Sequence, residues 1–383
     1  MSMRFHWSMS SAGEKYRGAQ ARAAVGVPSL DTLVRFCRHA EECEIDSLLT
    51  AFGFHRPDPI VLAAVLGALT TKIKFMVAVR SGIFSPTVFV QQVNSVATMT
   101  NGRICLNVVA GHTPEEQRYY GDFLTHDERY DRTDEFLAIC DAFWRRRPLT
   151  PALSPRGGER VPKAGEGSSA EVDFEGKYYR IEKGKLNVPF VAPDRTRPEI
   201  FLGGNSARAE GMAVKYADCL WRLPDKPDVL RQRTPDLIEK GIEVGLLVSL
   251  IVRPTRREAL AATEKLLEEV GGRPRRTHEE FAKRSDSVAF TSTYELAAKN
   301  DVWLTDYLWS GAVPFLGAPA MAIVGSPEDV ADALFEFRAA GITQFLFMGW
   351  PDMEEMTNFH GEVLPLVRAR EAAEQYGNYI AQD

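Results

Sequence analysis

Short apolar runs alternate with longer amphipathic runs along almost the whole chain. The short runs read as strands: "RFHWSM" (4–9), "IDSLLTAF" (45–52), "KIKFMVAVR" (72–80), "RICLNVVAG" (103–111), "PEIFLGG" (198–204), "DCLWRL" (218–223), "VGLLVSLIVR" (244–253) and "ITQFLFMG" (342–349). They lack the polar alternation of a half-exposed sheet, so they are expected to be buried on both faces. The longer runs read as helices. In 29–43, Leu30, Leu33, Val34, Phe36, Cys37 and Ala40 fall near helical spacing behind Ser29, a good N-cap. Asp58 caps 58–71, and 85–102 carries Pro86 in its first turn with Gly102 past its end. Further helices are expected over 129–146, 206–217, 255–270, 326–341 and 362–377.

Eight buried strands alternating with about eight helices imply a parallel sheet covered by helices, and that number of β/α units fits a (β/α)8 TIM barrel within the α/β class. An open doubly wound sheet is the competitor. A nucleotide-binding version should carry G-x-G-x-x-G after its first strand, and "SMSSAGEKYRGAQ" does not. The barrel is therefore expected as a single domain over 1–383. Two segments interrupt the rhythm. Residues 148–170 are rich in Pro, Gly, Ser and mixed charge, cannot build a core, and are expected to be an inserted surface loop; the run also resembles the translation of a palindromic genomic repeat. Residues 272–318 are the expected substrate lid, and "VDFEGKYYRIEKGKL" (172–186) alternates like a hairpin.

Composition narrows the function classes. A net charge of -6 lacks the basic balance that phosphate backbones demand, so no nucleic-acid partner is expected. No apolar run approaches the roughly 20 residues of a membrane span, and the N-terminus lacks the pattern of a secretion signal. Cys37, Cys43, Cys105, Cys140 and Cys219 are odd in number and scattered without a C-x-x-C, which fits reduced core thiols in a cytoplasmic protein. The seven histidines show no ligand spacing, so no metal site is expected.

Barrel sites lie at the C-terminal ends of the strands. That rule selects Ser8–Gly13, Ala51–Arg56, Val79–Ser81, Asn107–His112, Gly203–Ser206, Trp221 with Arg222, Ser249, and Gly349 with Trp350. "FLGGNSARAE" joins a strand to a helix start through two glycines, with Asn205 or Ser206 able to cap. This suits an anion, although a plain glycine turn would look the same. His55 and His112 sit at strand ends and could touch a ligand or simply face water.

Taken together, "SPTVFVQQVNSVATMTNGR", "NVVAG", "HDERYDRTDEF", "VDFEGKYYRI", "PEIFLGGNSARAEGMAVKYADCLW" and "GITQFLFMGWPDMEE" resemble the bacterial-luciferase-like flavin monooxygenases, nearest the alkanesulfonate monooxygenase group. The resemblance spans nearly the whole chain outside 148–170. It implies a homodimer or homotetramer that takes reduced FMN from a separate flavin reductase and activates O2 as a flavin C4a-peroxide. It also implies that Asn107 bonds the polar edge of the flavin. Ser206, the Gly204 and Asn205 amides and Tyr130 would hold the phosphate, and Ala51, Phe52 and Val79 would line the ring. Two alternatives stay open: a deazaflavin-dependent reductase or dehydrogenase on the same barrel, and a non-catalytic flavin-binding protein.

The substrate side departs from the sulfonate oxidisers. Their cysteine after the second strand is Arg56 here, and their histidine near the first strand is Ala12. The arginine and histidine of strand seven are Leu247 and Ser249, the lid arginine is Leu316, and the tyrosine after the last strand is Trp350. Losing several charge-assisted donors, each about 1.5–3 kcal/mol, argues against a simple alkanesulfonate. Leu247, Phe315, Leu316 and Trp350 suggest a more apolar pocket, with His55, Arg56, His112 and Arg222 as polar anchors or acid–base groups. The substrate is expected to be an organic molecule of specialised metabolism, free or tethered to a carrier.

Overall fold

The computed structural model describes residues 2–9, 28–111, 113–145, 171–271, 285, 287–299 and 301–380. The expected insertion at 148–170, the first part of the expected lid (272–284), Ala12 and His112 lie outside the described residues.

The strands are β1 (Arg4–Ser8), β2 (Ser47–Thr50), β3 (Lys74–Arg80), β4 (Ile104–Val109), β5 (Val172–Glu175), β6 (Arg180–Gly184), β7 (Glu199–Gly203), β8 (Cys219–Arg222), β9 (Glu243–Val252), β10 (Leu308–Trp309), β11 (Ala322–Gly325) and β12 (Ile342–Gly349). Eight of them close a parallel barrel in the order β1-β2-β3-β4-β7-β8-β9-β12, sealed by the β12–β1 pair. These are the eight strands expected from the apolar runs. β5 and β6 form the expected hairpin.

β10 and β11 were not expected. β9 outlasts its neighbour: β8 pairs only with Glu243–Leu246, which leaves an open edge beyond. β11 fills it in parallel against Ser249–Val252, and β10 adds an antiparallel edge. Unpaired edge N–H and C=O groups invite such a cover.

Strand alternation divides the side chains into two populations. Phe75, Val77, Val79, Leu106, Val108, Leu202, Leu220 and Val248 face outward into the core shared with the helices. Leu49, Met76, Ala78, Cys105, Phe201, Cys219, Trp221 and Leu346 fill the lumen. At the closed end, Arg4 bridges Glu199 (2.6 Å) and Glu243 (2.7 Å). Above it, buried His6 bonds Ser47 (2.7 Å) and Gln344 (2.9 Å).

The helix boundaries follow the caps. Ser29 accepts from the Thr32 amide, and Asp58 from those of Ile60 and Val61. Asn101 and Gly102 end 86–100 with positive φ. Ser326 and Asp329 form a capping box. All five cysteines are buried and free, and burial pushes their thiols up, Cys37 to about 12. No helix among the described residues is long and apolar enough to cross a membrane.

Candidate functional site at the barrel mouth

The loop after β7 makes the clearest cradle. Gly204 holds φ at +151°, and a Cβ there would lie 2.6 Å from the Ala209 Cβ and 3.7 Å from the Tyr130 hydroxyl. Only glycine lets the backbone pass this close to the helix and keep that φ. Ser206 caps the helix Ala207–Tyr216, its hydroxyl accepting from the Ala209 amide at 3.2 Å. That leaves the hydroxyl proton free to donate outward. Tyr130 arrives from the helix His126–Arg145, and the Arg208 guanidinium lies 5.7 Å from its ring centre. The structure thus brings together Tyr130, Gly204, Asn205 and Ser206 at a helix N-terminus, where an anion is favoured. One expected contact is corrected. The Gly204 N–H donates to the Trp221 carbonyl (3.2 Å), so it belongs to the strand edge and not to an anion.

Two further expectations are corrected by strand alternation. Val79 packs outward among the core side chains, fully buried, so its side chain cannot line a ring at the mouth. Its neighbours Ala78 and Arg80 take the inner face. Arg222 also points away from the lumen, opposite to Trp221. Its side chain is 2% exposed and pairs with Glu210 at 2.6 Å, and it reaches the Gly204 carbonyl at 3.4 Å. It braces the Gly204 loop from the side away from the lumen.

Asn107 lies on the inner face of β4, in register with Ala78 and Phe201. Below the mouth, Trp221 stacks on Phe201 (centroids 5.2 Å, planes 10° apart), and His6 meets both rings edge-on at 5.6 Å. Trp221 has Gly203 and Gly245 as its register partners, which gives its ring room.

On the β2–β3 side, Ala51 and Phe52 follow β2, and Phe52 packs on the lumen cluster. Arg80 is buried and lies 5.0 Å from the Phe52 ring centre and 5.9 Å from that of Tyr120. It donates to Glu116 at 2.8 Å, and Glu116 also accepts from the Phe54 amide at 3.1 Å. His55 is exposed and Arg56 half-buried beside Gly53. A Cβ there would meet His55, Glu116 and Arg56 at 3.3, 3.5 and 3.6 Å. Strand-end reading selected His55, Arg56, Arg80 and Trp221 by position but missed Glu116 and Arg208, which come from helices.

The other rim is apolar. The helix Val288–Lys299 sets Ala289, Phe290 and Tyr294 against Leu223, Leu247 and Ala318. Phe315, Leu316 and Trp350 share a second cluster with Trp303 and Trp309. Ser249 is fully buried and donates to the Pro319 carbonyl (2.8 Å), anchoring the segment 313–320 to the barrel.

Several buried polar atoms without a hydrogen-bond partner belong to strands and loops at this end of the barrel, among them Arg80 Nη1, Asn107 Oδ1, Gln117 Nε2 and Asn205 Oδ1; others lie elsewhere, as at Thr87, Tyr178 and Thr343. Buried polar groups are ordinarily paired, so those at the mouth are available to a polar ligand. FMN fits the arrangement: an anion cradle at one end, and at the other an amide beside aromatic and apolar walls. Among the described residues no group of three or more His, Cys, Asp or Glu side chains is placed to hold a metal ion.

The same overall fold recurs in solved structures. EDTA monooxygenase from Chelativorans sp. BNC1 is 20% identical, with a TM-score of 0.71 over 97% of this chain and 95% of its own. A riboflavin lyase, solved with modified FMN and riboflavin, is 20% identical, with a TM-score of 0.67 over 97% and 92%. An F420-dependent secondary alcohol dehydrogenase is 17% identical, with a TM-score of 0.63 over 96% and 99%. At these identities the likeness establishes the barrel. The sequence pattern of luciferase-like monooxygenases matches residues 3–344. With that match over most of its length, this chain belongs to the luciferase-like monooxygenase family, and with it to the oxidoreductases.

Proposed function

We propose that the chain is the oxygenating component of a two-component FMN-dependent monooxygenase. A separate flavin reductase supplies reduced FMN, O2 is the co-substrate, and the organic substrate is not a simple alkanesulfonate. The observation that carries this reading is the Gly204 cradle, with its close approach to Ala209 and the Tyr130 hydroxyl beside the orphaned Asn205 Oδ1. Asn205, Ser206 and Tyr130 would hold the phosphate, with Arg208 adding charge. Asn107 would meet the polar edge of the ring, and Ala51 and Phe52 would flank it. When bound, reduced FMN supplies the electrons that activate O2. The protein orients both partners and keeps water out. Exclusion falls to Leu247, Phe315, Leu316 and Trp350, with 272–318 as the lid. Trp350 borders the substrate space without a titratable group, so it shapes that space and carries no proton.

The test is an anaerobic titration with photoreduced FMN, followed by admission of labelled oxygen and mass spectrometry of candidate products. Reduced FMN should bind with one site per chain, and label should enter the product. The likeness to an F420-dependent dehydrogenase gives a deazaflavin reading some support. Binding of reduced deazaflavin but not reduced FMN would favour that reading. Binding of FMN without any oxygenated product would favour a flavin carrier. Removal of 150–169 should leave FMN binding unchanged.

A further inference from the structure

The closed end of the barrel holds a cation that the floor does not pair. Phe5, Phe75, Ile104, Ile200 and Val244 face outward into the helix-packed core. Arg4, Lys74, Cys105, Glu199 and Glu243, each one residue away on the same strands, therefore face the lumen floor. Arg4 bridges both carboxylates. Lys74 does not join them: its ammonium has neither an ion pair nor a hydrogen bond with any described residue. Its charge nonetheless acts on buried His6 and buried Cys105, which puts it at the floor.

Beside it opens a cavity of about 340 Å3, a size that small-molecule sites commonly have. Its lining combines Lys74, Arg195, Glu199 and Asp194 with apolar Phe190 and Ala192. Arg195 reaches the cavity from the loop before β7. Its Nη2 donates to Asp218 at 3.0 Å, but its buried Nη1 has no hydrogen-bond partner. Glu199 Oε2 lies 3.9 Å from that Nη1, beyond hydrogen-bond reach. Arg103, also in the lining, donates to the carbonyls of Gly67, Thr70, Ile73 and Thr100.

Two unmet donors, an ammonium and a guanidinium N–H, thus border one cavity. A carboxylate has two charged acceptor oxygens and no proton, so each oxygen can meet one donor. A neutral amide offers one acceptor and sets an N–H against a cation. The apolar residues suit a short non-polar body.

We propose that this cavity is a second ligand site, which takes a small organic carboxylate between Lys74 and Arg195 with its apolar body against Phe190 and Ala192. It lies at the opposite end of the barrel from the Gly204 cradle and stands whether or not FMN is the cofactor. An occupant would tie the loop 190–195 to the first residues of β3 and β4, so binding should stabilise the fold.

The test titrates benzoate and its neutral counterpart benzamide calorimetrically into the full chain, with and without saturating FMN. Benzoate should bind at least about tenfold more tightly than benzamide in both cases, and should raise the urea midpoint more. Lys74→Met should abolish most of that preference, and Lys74→Arg should retain it. Arg195→Met should weaken benzoate binding in the same direction. The urea midpoint without ligand is the folding control. Lys74→Met should not lower it, because Lys74 has no partner to lose. If one variant fails the control, the others decide. Equal binding of benzoate and benzamide, binding of neither, or benzoate binding that Lys74→Met leaves intact overturns the proposal. Benzoate binding that disappears on saturation with FMN places the anion at the mouth and overturns it as well.

Discussion

The Trp221 ring lies over Gly245 so closely that a Cβ on Gly245 would sit 2.2 Å from its Cζ3. This contact makes the lumen of the barrel an aromatic floor, because Trp221 can then stack on Phe201 and meet His6 edge-on. Gly245→Ala should push the ring upward into the mouth. Overpacking of this kind costs about 1–3 kcal/mol. Urea denaturation should show the loss, and the near-ultraviolet dichroism of the stacked pair should change. An unchanged midpoint and spectrum would mean that Trp221 has room to spare.

Ser206 has two separable duties. Its oxygen caps the helix, and its proton is available to an anion. Ser206→Ala should cost about 1 kcal/mol of stability through the cap. It should also weaken reduced-FMN binding by about 1–2 kcal/mol through a lost charge-assisted contact. Fluorescence titration measures the second effect and denaturation the first. A stability loss with unchanged FMN affinity would place the phosphate elsewhere.

Much of the architecture was legible in the sequence because parallel barrel strands are buried on both faces and show as uninterrupted apolar runs. β10 and β11 were not legible: one is two residues long, and both owe their pairing to the free edge of β9, a tertiary circumstance. The mouth was legible by position but not by face. A strand-end rule selects Val79 and Arg222 as readily as Arg80 and Trp221. Counting in twos from Met76 and Ala78, or from Cys219, would have separated them. Glu116 could not have been found that way, since it joins the site from the short helix after β4.

The Val79 correction can itself be tested. Val79→Ala should cost about 2 kcal/mol, as expected for emptying part of a packed core. It should leave FMN affinity unchanged. Ala78→Phe, one residue away on the inner face, should weaken flavin binding as well as lower the urea midpoint, since it overpacks the lumen. The opposite pattern in a paired titration and denaturation would reverse the assignment of faces.

Two buried groups with shifted protonation set opposing pH dependences. Burial holds His6 down at about 4, with the Arg4 charge adding to the effect and Asp46 opposing it. The unfolded chain takes up this proton near pH 6.5, so between about 6.5 and 4 it binds more protons than the native state. Stability therefore falls as pH falls through that window, by on the order of 3 kcal/mol for this group. Glu355 runs the other way. Burial raises it to about 7, although Arg253 donates to it at 2.6 Å and the Val252 amide at 2.9 Å. The native state then holds a proton that the unfolded chain releases near 4.5, so stability falls as pH rises from about 4.5 to 7. The two slopes partly cancel in the wild type. Glu355→Gln should unmask a steeper loss toward acid, and His6→Asn should unmask a loss toward neutral pH. Urea midpoints measured from pH 4.5 to 7 check both signs. Parallel curves for the two variants would show that neither group controls the pH dependence.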